Sequence, residues 1–178
     1  TKKSDGKMRC KGAFYCDKIN KKVKYIRTKT VVLSTGGCGQ IFKNTTNPEI
    51  ATGDGIAIAS RAGAVIKDMQ YIQFHPTALY EENKNPFFLI SEAVRGFGAH
   101  IVNEDQKRFI SKDDIRGELA TRDVVSQAIS KEIQMSGKQY VYLDCRHLDF
   151  DEFYTHFPSI TAYCKTIGLH PEKDLIPI

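Results

Sequence analysis

The run Thr30-Val31-Val32-Leu33-Ser34, closed by Thr35-Gly36-Gly37-Cys38-Gly39, limits the fold more than any other segment. A continuous apolar, β-branched run bounded by glycines suits a strand buried on both faces of a layered α/β sheet. Upstream, Ala13 to Cys16 and Lys22 to Ile26 flank the turn residues Asp17 to Asn20, as the arms of a β-hairpin would. Downstream, Asp54 to Ala64 sets Ile56, Ile58, Ala59, Ala62 and Ala64 on a small apolar helical face. The pattern predicts a partial α/β, Rossmann-like sheet domain over residues 1–68, with too few strands to complete a sheet. Beyond it the character changes. Residues 69–178 read as a mixed α+β module.

In that second module Met69 to Phe74 is expected to be extended and stopped by Pro76, and Phe87 to Val94 to be helical. Ala99 to Val102 and Lys107 to Ile110 bracket Asn103 to Gln106 as a second hairpin. Apolar positions 124, 125, 128, 129 and 133 predict a helix from Thr121, its N-cap, to Met135, closed by Gly137. Tyr140 to Leu143 reads as a strand, and Asp149 to Ile167 as two short helices broken at Pro158 and ended by Gly168.

Hydrophobic residues at 41% and charged residues at 26% of 178 allow a real core. No apolar run approaches the length that spans a bilayer, and no secretory leader opens the chain. The start is polar and lacks Met, so an excerpt of a longer, cytoplasmic protein is expected. The net charge of +5 is scattered among acids without a nucleic-acid motif, which favours solvated faces over nucleic-acid binding. Five cysteines without CxxC spacing indicate neither a disulfide framework nor a metal site.

Two segments carry chemistry. Gln73-Phe74-His75-Pro76-Thr77 offers an amide, an imidazole and a hydroxyl within five residues; Arg116-Gly117-Glu118-Leu119-Ala120-Thr121-Arg122-Asp123 brings a guanidinium to a helix start. His75 follows a strand and precedes proline, so its ring leaves the strand at a fixed angle, either as an anion ligand or as a structural histidine. Ser91 and Glu92 sit near a helix N-terminus, which favours anions. Arg95 is one turn from Glu92 and could pair with it, the plainer alternative being an ordinary surface ion pair. Arg122 reads first as a carboxylate clamp, and Asp123 as a first-turn acid that suits the helix dipole. Thr35, Gly36, Gly37 and Gly39, with Thr52-Gly53-Asp54-Gly55, form turns where a backbone can approach a cofactor closely, although no complete GxGxxG fingerprint is present. Asp54 can accept from a cofactor hydroxyl or open a helix. His147 and His156 have no partners at metal spacing and are expected to be structural.

In this order, Thr-Gly-Gly, Asn47-Pro48, Thr52 to Gly55, Gln73 to Thr77, Ser91 to Gly96 and Arg116 to Asp123 resemble the flavoprotein family of succinate dehydrogenase, fumarate reductase and L-aspartate oxidase. The resemblance covers nearly the whole chain. Thr77-Ala78-Leu79-Tyr80 and Tyr142 to Leu148 look most like the L-aspartate oxidase branch. Two positions depart from the family pattern: Ser91 stands where threonine is usual, and Thr121 where proline is usual, which is expected to loosen the helix start.

The resemblance implies an internal fragment: residues 1–68 as the distal part of an FAD-binding domain and residues 69–178 as the substrate-capping domain. FAD, held non-covalently in the full-length enzyme, would lie near Thr35, Gly36, Gly37, Gly39 and Asp54. His75 and Ser91 would hold a substrate carboxylate with Gln73 beside them. Arg122 would transfer the proton, with Glu92 and Arg95 as its relay. The implied reaction is oxidation of L-aspartate to iminoaspartate in NAD biosynthesis, with oxygen or fumarate as acceptor and a functional link to quinolinate synthase. The alternatives are a fumarate reductase or succinate dehydrogenase flavoprotein, or a non-catalytic cap module. The isolated fragment, lacking the rest of the FAD domain, is expected to be inactive.

Overall fold

The computed structural model describes residues 2–4 and 7–178. It divides into two compact units: residues 1–43 with 47–70, and residues 44–46 with 71–178.

The first unit contains two antiparallel hairpins. Strands β1 (Lys2–Ser4) and β2 (Lys7–Arg9) form one, and β3 (Gly12–Asp17) and β4 (Lys22–Arg27) the other, with Phe14 opposite Tyr25. Asp17 makes the second turn. Its carboxylate accepts from the amides of Ile19 and Asn20 (both 3.1 Å), from Asn20 Nδ2 (2.7 Å) and from Lys24 Nζ (2.5 Å). An Asx-type turn of this kind fixes the hairpin's reversal locally. Helix α1 (Asp54–Arg61) follows Gly53, whose φ of +80° suits glycine, and Asp54 opens the helix.

Thr30–Ser34 does not form the expected buried strand. The segment is irregular and Val32 is 82% exposed. A strand is stabilised by its neighbours' hydrogen bonds and side chains, and no strand pairs with this run among the described residues.

The second unit holds the core. Strands β5 (His100–Val102), β6 (Tyr142–Asp144) and β7 (Ile176–Pro177) form an antiparallel sheet in that order, with Ile101, Leu143 and Ile176 in one cross-strand row. All three are buried. Helix α2 (Glu92–Gly96) supplies Val94. Helix α3 (Arg122–Ser136) supplies Val125, Ala128 and Ile129, the positions its periodicity marked. Helices α4 (Phe150–His156) and α5 (Pro158–Thr166) break at Pro158 as expected, and bring Phe153, Ile160 and Cys164 to the same core.

Two expectations in this unit fail. Phe87 to Ile90 is extended, not helical, because Leu79 N–H donates to Phe88 C=O (2.8 Å) and Ile90 N–H to Thr77 C=O (3.0 Å). The second hairpin shrinks to one bridge, Val102 with Arg108, and Ile110–Lys112 is a single 3-10 turn. Strand β7 was not anticipated.

Candidate active site

Side chains of the second unit that lie far apart in sequence converge on Arg122. The antiparallel pairing of 77–79 with 88–90 sets His75 beside Ile90, next to Ser91-Glu92 in the chain. Arg122 is the first residue of α3. Its Nε–H donates to Glu92 Oε2 at 2.6 Å and its Nη1–H to Gln73 Oε1 at 2.9 Å. One turn on, Ser126 Oγ–H reaches Phe74 C=O at 3.4 Å. The Arg122 and Glu92 side chains keep 40% and 44% of their surface open to solvent, so the pair remains reachable.

His75 is held at one nitrogen. Its Nε2 lies 2.8 Å from Ile90 C=O and 3.1 Å from Thr77 Oγ1, while Thr77 Oγ–H donates to the same carbonyl at 2.9 Å. A carbonyl only accepts, so Nε2 carries the hydrogen and Nδ1 is left for a ligand. Burial holds the His75 pKa below the ordinary imidazole value; the Ile90 bond opposes this, and the charges of Arg122 and Arg95 add to it. Ser91 N-caps α2, its Oγ accepting from Ala93 N–H at 3.2 Å, which leaves the hydroxyl hydrogen for an acceptor.

The Arg95–Glu92 pair is not an ordinary surface ion pair. Arg95 is 2% exposed, with Nη1–H on Glu118 C=O (2.5 Å) and Nη2 3.6 Å from Glu92 Oε1. Nε and Nη2 have no hydrogen-bond partner among the described residues. Burial lowers the Arg95 pKa, and Glu92 opposes that shift. The hydrogen bond from Arg122 holds the Glu92 carboxyl below its usual range.

Sequence reasoning passed over Arg108, and it quoted Thr77 and Glu118 within their motifs without giving either a place in the site. Thr77 is fully buried and fixes the His75 ring. Glu118 is 5% exposed and accepts from Ile101 N–H (3.2 Å) and from Arg108 Nε (3.0 Å) and Nη2 (2.6 Å). Burial pushes its carboxyl up, but the Arg108 fork, backbone N–H donors and the Arg108 charge together carry it below the usual range. An acid beside a turn reads as solvated unless its burial is known. By contrast Arg116 pairs with neighbouring Asp114 in an exposed fork and takes no part in this cluster. His147 stacks on His100 with ring centroids 4.2 Å apart, a structural contact.

In the first unit the two glycine turns meet, as Gly53 N–H donates to Gly37 C=O at 3.1 Å. A Cβ on Gly55 would fall 1.7 Å from Thr35 Oγ1, so Thr35 closes over the start of α1. A Cβ on Gly36 or Gly37 would meet nothing within 4 Å, so one side of that turn is bare backbone. An open, side-chain-free turn beside a hydroxyl fits close approach by a dinucleotide cofactor. Gly39 differs: a Cβ there would strike Asn47, so packing accounts for that glycine. No cluster of three or more metal-ligating side chains occurs among the described residues, and no helix among them is long and apolar enough to cross a membrane.

The chain was compared with known proteins. Residues 2–178 match the family described as FAD binding domain. The chain is 46% identical to L-aspartate oxidase 1 of Ralstonia nicotianae, over 96% of its own length and 32% of that protein's. It is 50% identical to L-aspartate oxidase of Xylella fastidiosa, over 83% and 28% of the two lengths. Among solved structures, a mutant E. coli quinol fumarate reductase superposes with a TM-score of 0.79 at 31% identity, covering 88% of this chain and 29% of that one. The chain thus spans about a third of the proteins it matches. It belongs to the FAD-binding-domain family and has the fold of the succinate dehydrogenase and fumarate reductase flavoproteins.

Proposed function

We propose that this chain is an internal part of an FAD-dependent L-aspartate oxidase that oxidises L-aspartate to iminoaspartate. In this reading residues 1–68 are the distal part of the FAD-binding domain and residues 69–178 the cap over the substrate. The observation that carries it is Arg122 bonded at once to Glu92 and Gln73, with His75 close enough to feel the charges of Arg122 and Glu92. That arrangement suits a small dicarboxylate. Arg122 is the cationic clamp, Ser91 Oγ–H faces the carboxylate as a donor, and His75 Nδ1 joins it as a donor when the ring is protonated. Gln73 fixes the guanidinium's orientation. Glu92, bonded to Arg122 Nε and paired with Arg95, is placed to receive a proton that passes through Arg122. Thr35, the Gly36-Gly37 turn and Asp54 would hold FAD, which supplies the two-electron acceptor when bound. Oxygen or fumarate would accept the electrons, and the enzyme would act in the cytoplasm before quinolinate synthase.

A second reading, a fumarate reductase or succinate dehydrogenase flavoprotein, draws on the structural likeness to fumarate reductase. The full-length protein separates the two. Anaerobic addition of L-aspartate should bleach its flavin, and succinate should not. The reverse pattern would select the second reading. In the same protein Arg122→Lys should cut turnover by about a hundredfold or more while sparing flavin content. Near-normal turnover would remove Arg122 from the chemistry.

A further inference from the structure

Five side chains of the second unit alternate in charge from the surface to the candidate site: Arg108, Glu118, Arg95, Glu92, Arg122. Arg108 is half-exposed and forks onto the Glu118 carboxylate at 3.0 and 2.6 Å. Glu118 is buried, and its carbonyl receives the buried Arg95 guanidinium. Arg95 faces Glu92 at 3.6 Å, and Glu92 binds Arg122 at 2.6 Å. Glu118 also lies four residues before Arg122, in the turn Gly117–Leu119 that precedes α3. One residue therefore fixes both arginines: Arg95 through its carbonyl, and the start of α3 through a carboxylate locked onto Ile101 N–H and Arg108.

Resting on the reading of Arg122, Glu92 and Arg95 as a proton relay, we propose that Glu118 and Arg108 are its positioning and charge-setting pair. They are not a further leg of the relay. The contact from Arg95 ends on a backbone carbonyl, which cannot carry a proton onward. The pair acts by charge. Three arginines face two carboxylates in this chain, and Glu118 is the only one of the two that is buried. Its negative charge favours the cationic form of Arg95 against the burial that opposes it. Arg108 offsets part of that negative charge. The other ionisable groups facing the chain are His75, beside Arg122, Arg95 and Glu92, and His100, beside Arg108 and Glu118.

The two members must then act with opposite sign. In the full-length holoenzyme, Glu118→Gln keeps one acceptor oxygen for Ile101 N–H and Arg108 Nε–H, loses the one facing Arg108 Nη2, and removes the charge. Flavin content and KM for L-aspartate should stay within about twofold, kcat should fall about tenfold, and the alkaline limb of the kcat profile should move to lower pH. Arg108→Gln, at a half-exposed position, leaves Glu118 uncompensated and should move that limb to higher pH. Opposite shifts support the proposal. Shifts of the same sign, or two profiles identical to the parent, overturn it. If Glu118→Gln fails to fold, the direction of the Arg108→Gln shift decides alone. Arg122→Lys, measured alongside, separates the two levels. If it kills turnover while the Glu118 and Arg108 profiles are unmoved, only the positioning pair is wrong; if it retains turnover, the relay reading itself has failed.

Discussion

His75 shows how one hydrogen bond sets the protonation a ligand must meet. Because Nε2–H is spent on Ile90 C=O, the free Nδ1 donates to a carboxylate only when the ring is protonated. Burial and the charges of Arg122 and Arg95 hold the imidazole below its ordinary pKa. Binding a dicarboxylate should therefore take up a proton. Affinity should weaken as pH rises, by as much as about tenfold per unit, and His75→Gln should flatten that dependence. Calorimetry of a dicarboxylate inhibitor with the full-length enzyme, in buffers of differing ionisation heat, reads the uptake directly. Binding without proton uptake would contradict the tautomer. The same group acts on stability with a definite sign. Its folded pKa is depressed, so below the ordinary imidazole range the unfolded chain binds the proton more readily, and His75 costs stability as pH falls.

Helix α3 shows the balance between local and tertiary signals. Its body was legible, because an apolar stripe at 3.6-residue spacing needs only the sequence, and Gly137 closes it in the left-handed region at φ +70°. Its start was legible too, with Thr121 at the N-cap position, although the side chain does not make the cap. Thr121 accepts no capping bond at its side chain; its φ of −62° is already that of proline, and Ala120 before it is extended at ψ 164°. Thr121→Pro should thus be accommodated without strain and raise stability by about 0.5 kcal/mol, through a stiffer unfolded chain. Urea denaturation checks this; a loss of more than about 1 kcal/mol would mean that the Thr121 side chain or amide matters to the helix start. Phe87 to Ile90 was illegible. Four apolar residues in a row fit either period, and the choice was made by Thr77 and Leu79, whose positions no local pattern reveals. The site divides in the same way. Arg122, Glu92, Gln73 and His75 could be picked out because their types and motif order carry chemistry. Glu118 and Arg108 could not, because their meaning is burial and a fork between residues ten apart.

Across the molecule, the two units differ in what their apolar residues accomplish. In the second, Ile101, Leu143 and Ile176 form a buried row in the same core as Val94, Val125 and Phe153. Leu143→Ala would leave a hole there and should cost about 3 kcal/mol. In the first, Val31, Val32 and Leu33 stay exposed, and so do Phe14, Ile26 and Val65. Such residues contribute little until other strands cover them. Native-state hydrogen exchange on this chain should therefore be uneven. The amides of Leu143 and Ile176 should exchange only at the cost of global opening of their unit, and those of residues 30–34 at nearly the rate of an unstructured peptide. In the full-length protein the slow class should extend to residues 31–33, because the missing partners of an apolar strand would then be present. Residues 31–33 exchanging equally fast in both would mean that this run is a true surface loop, and that the layered sheet expected from its composition does not form around it.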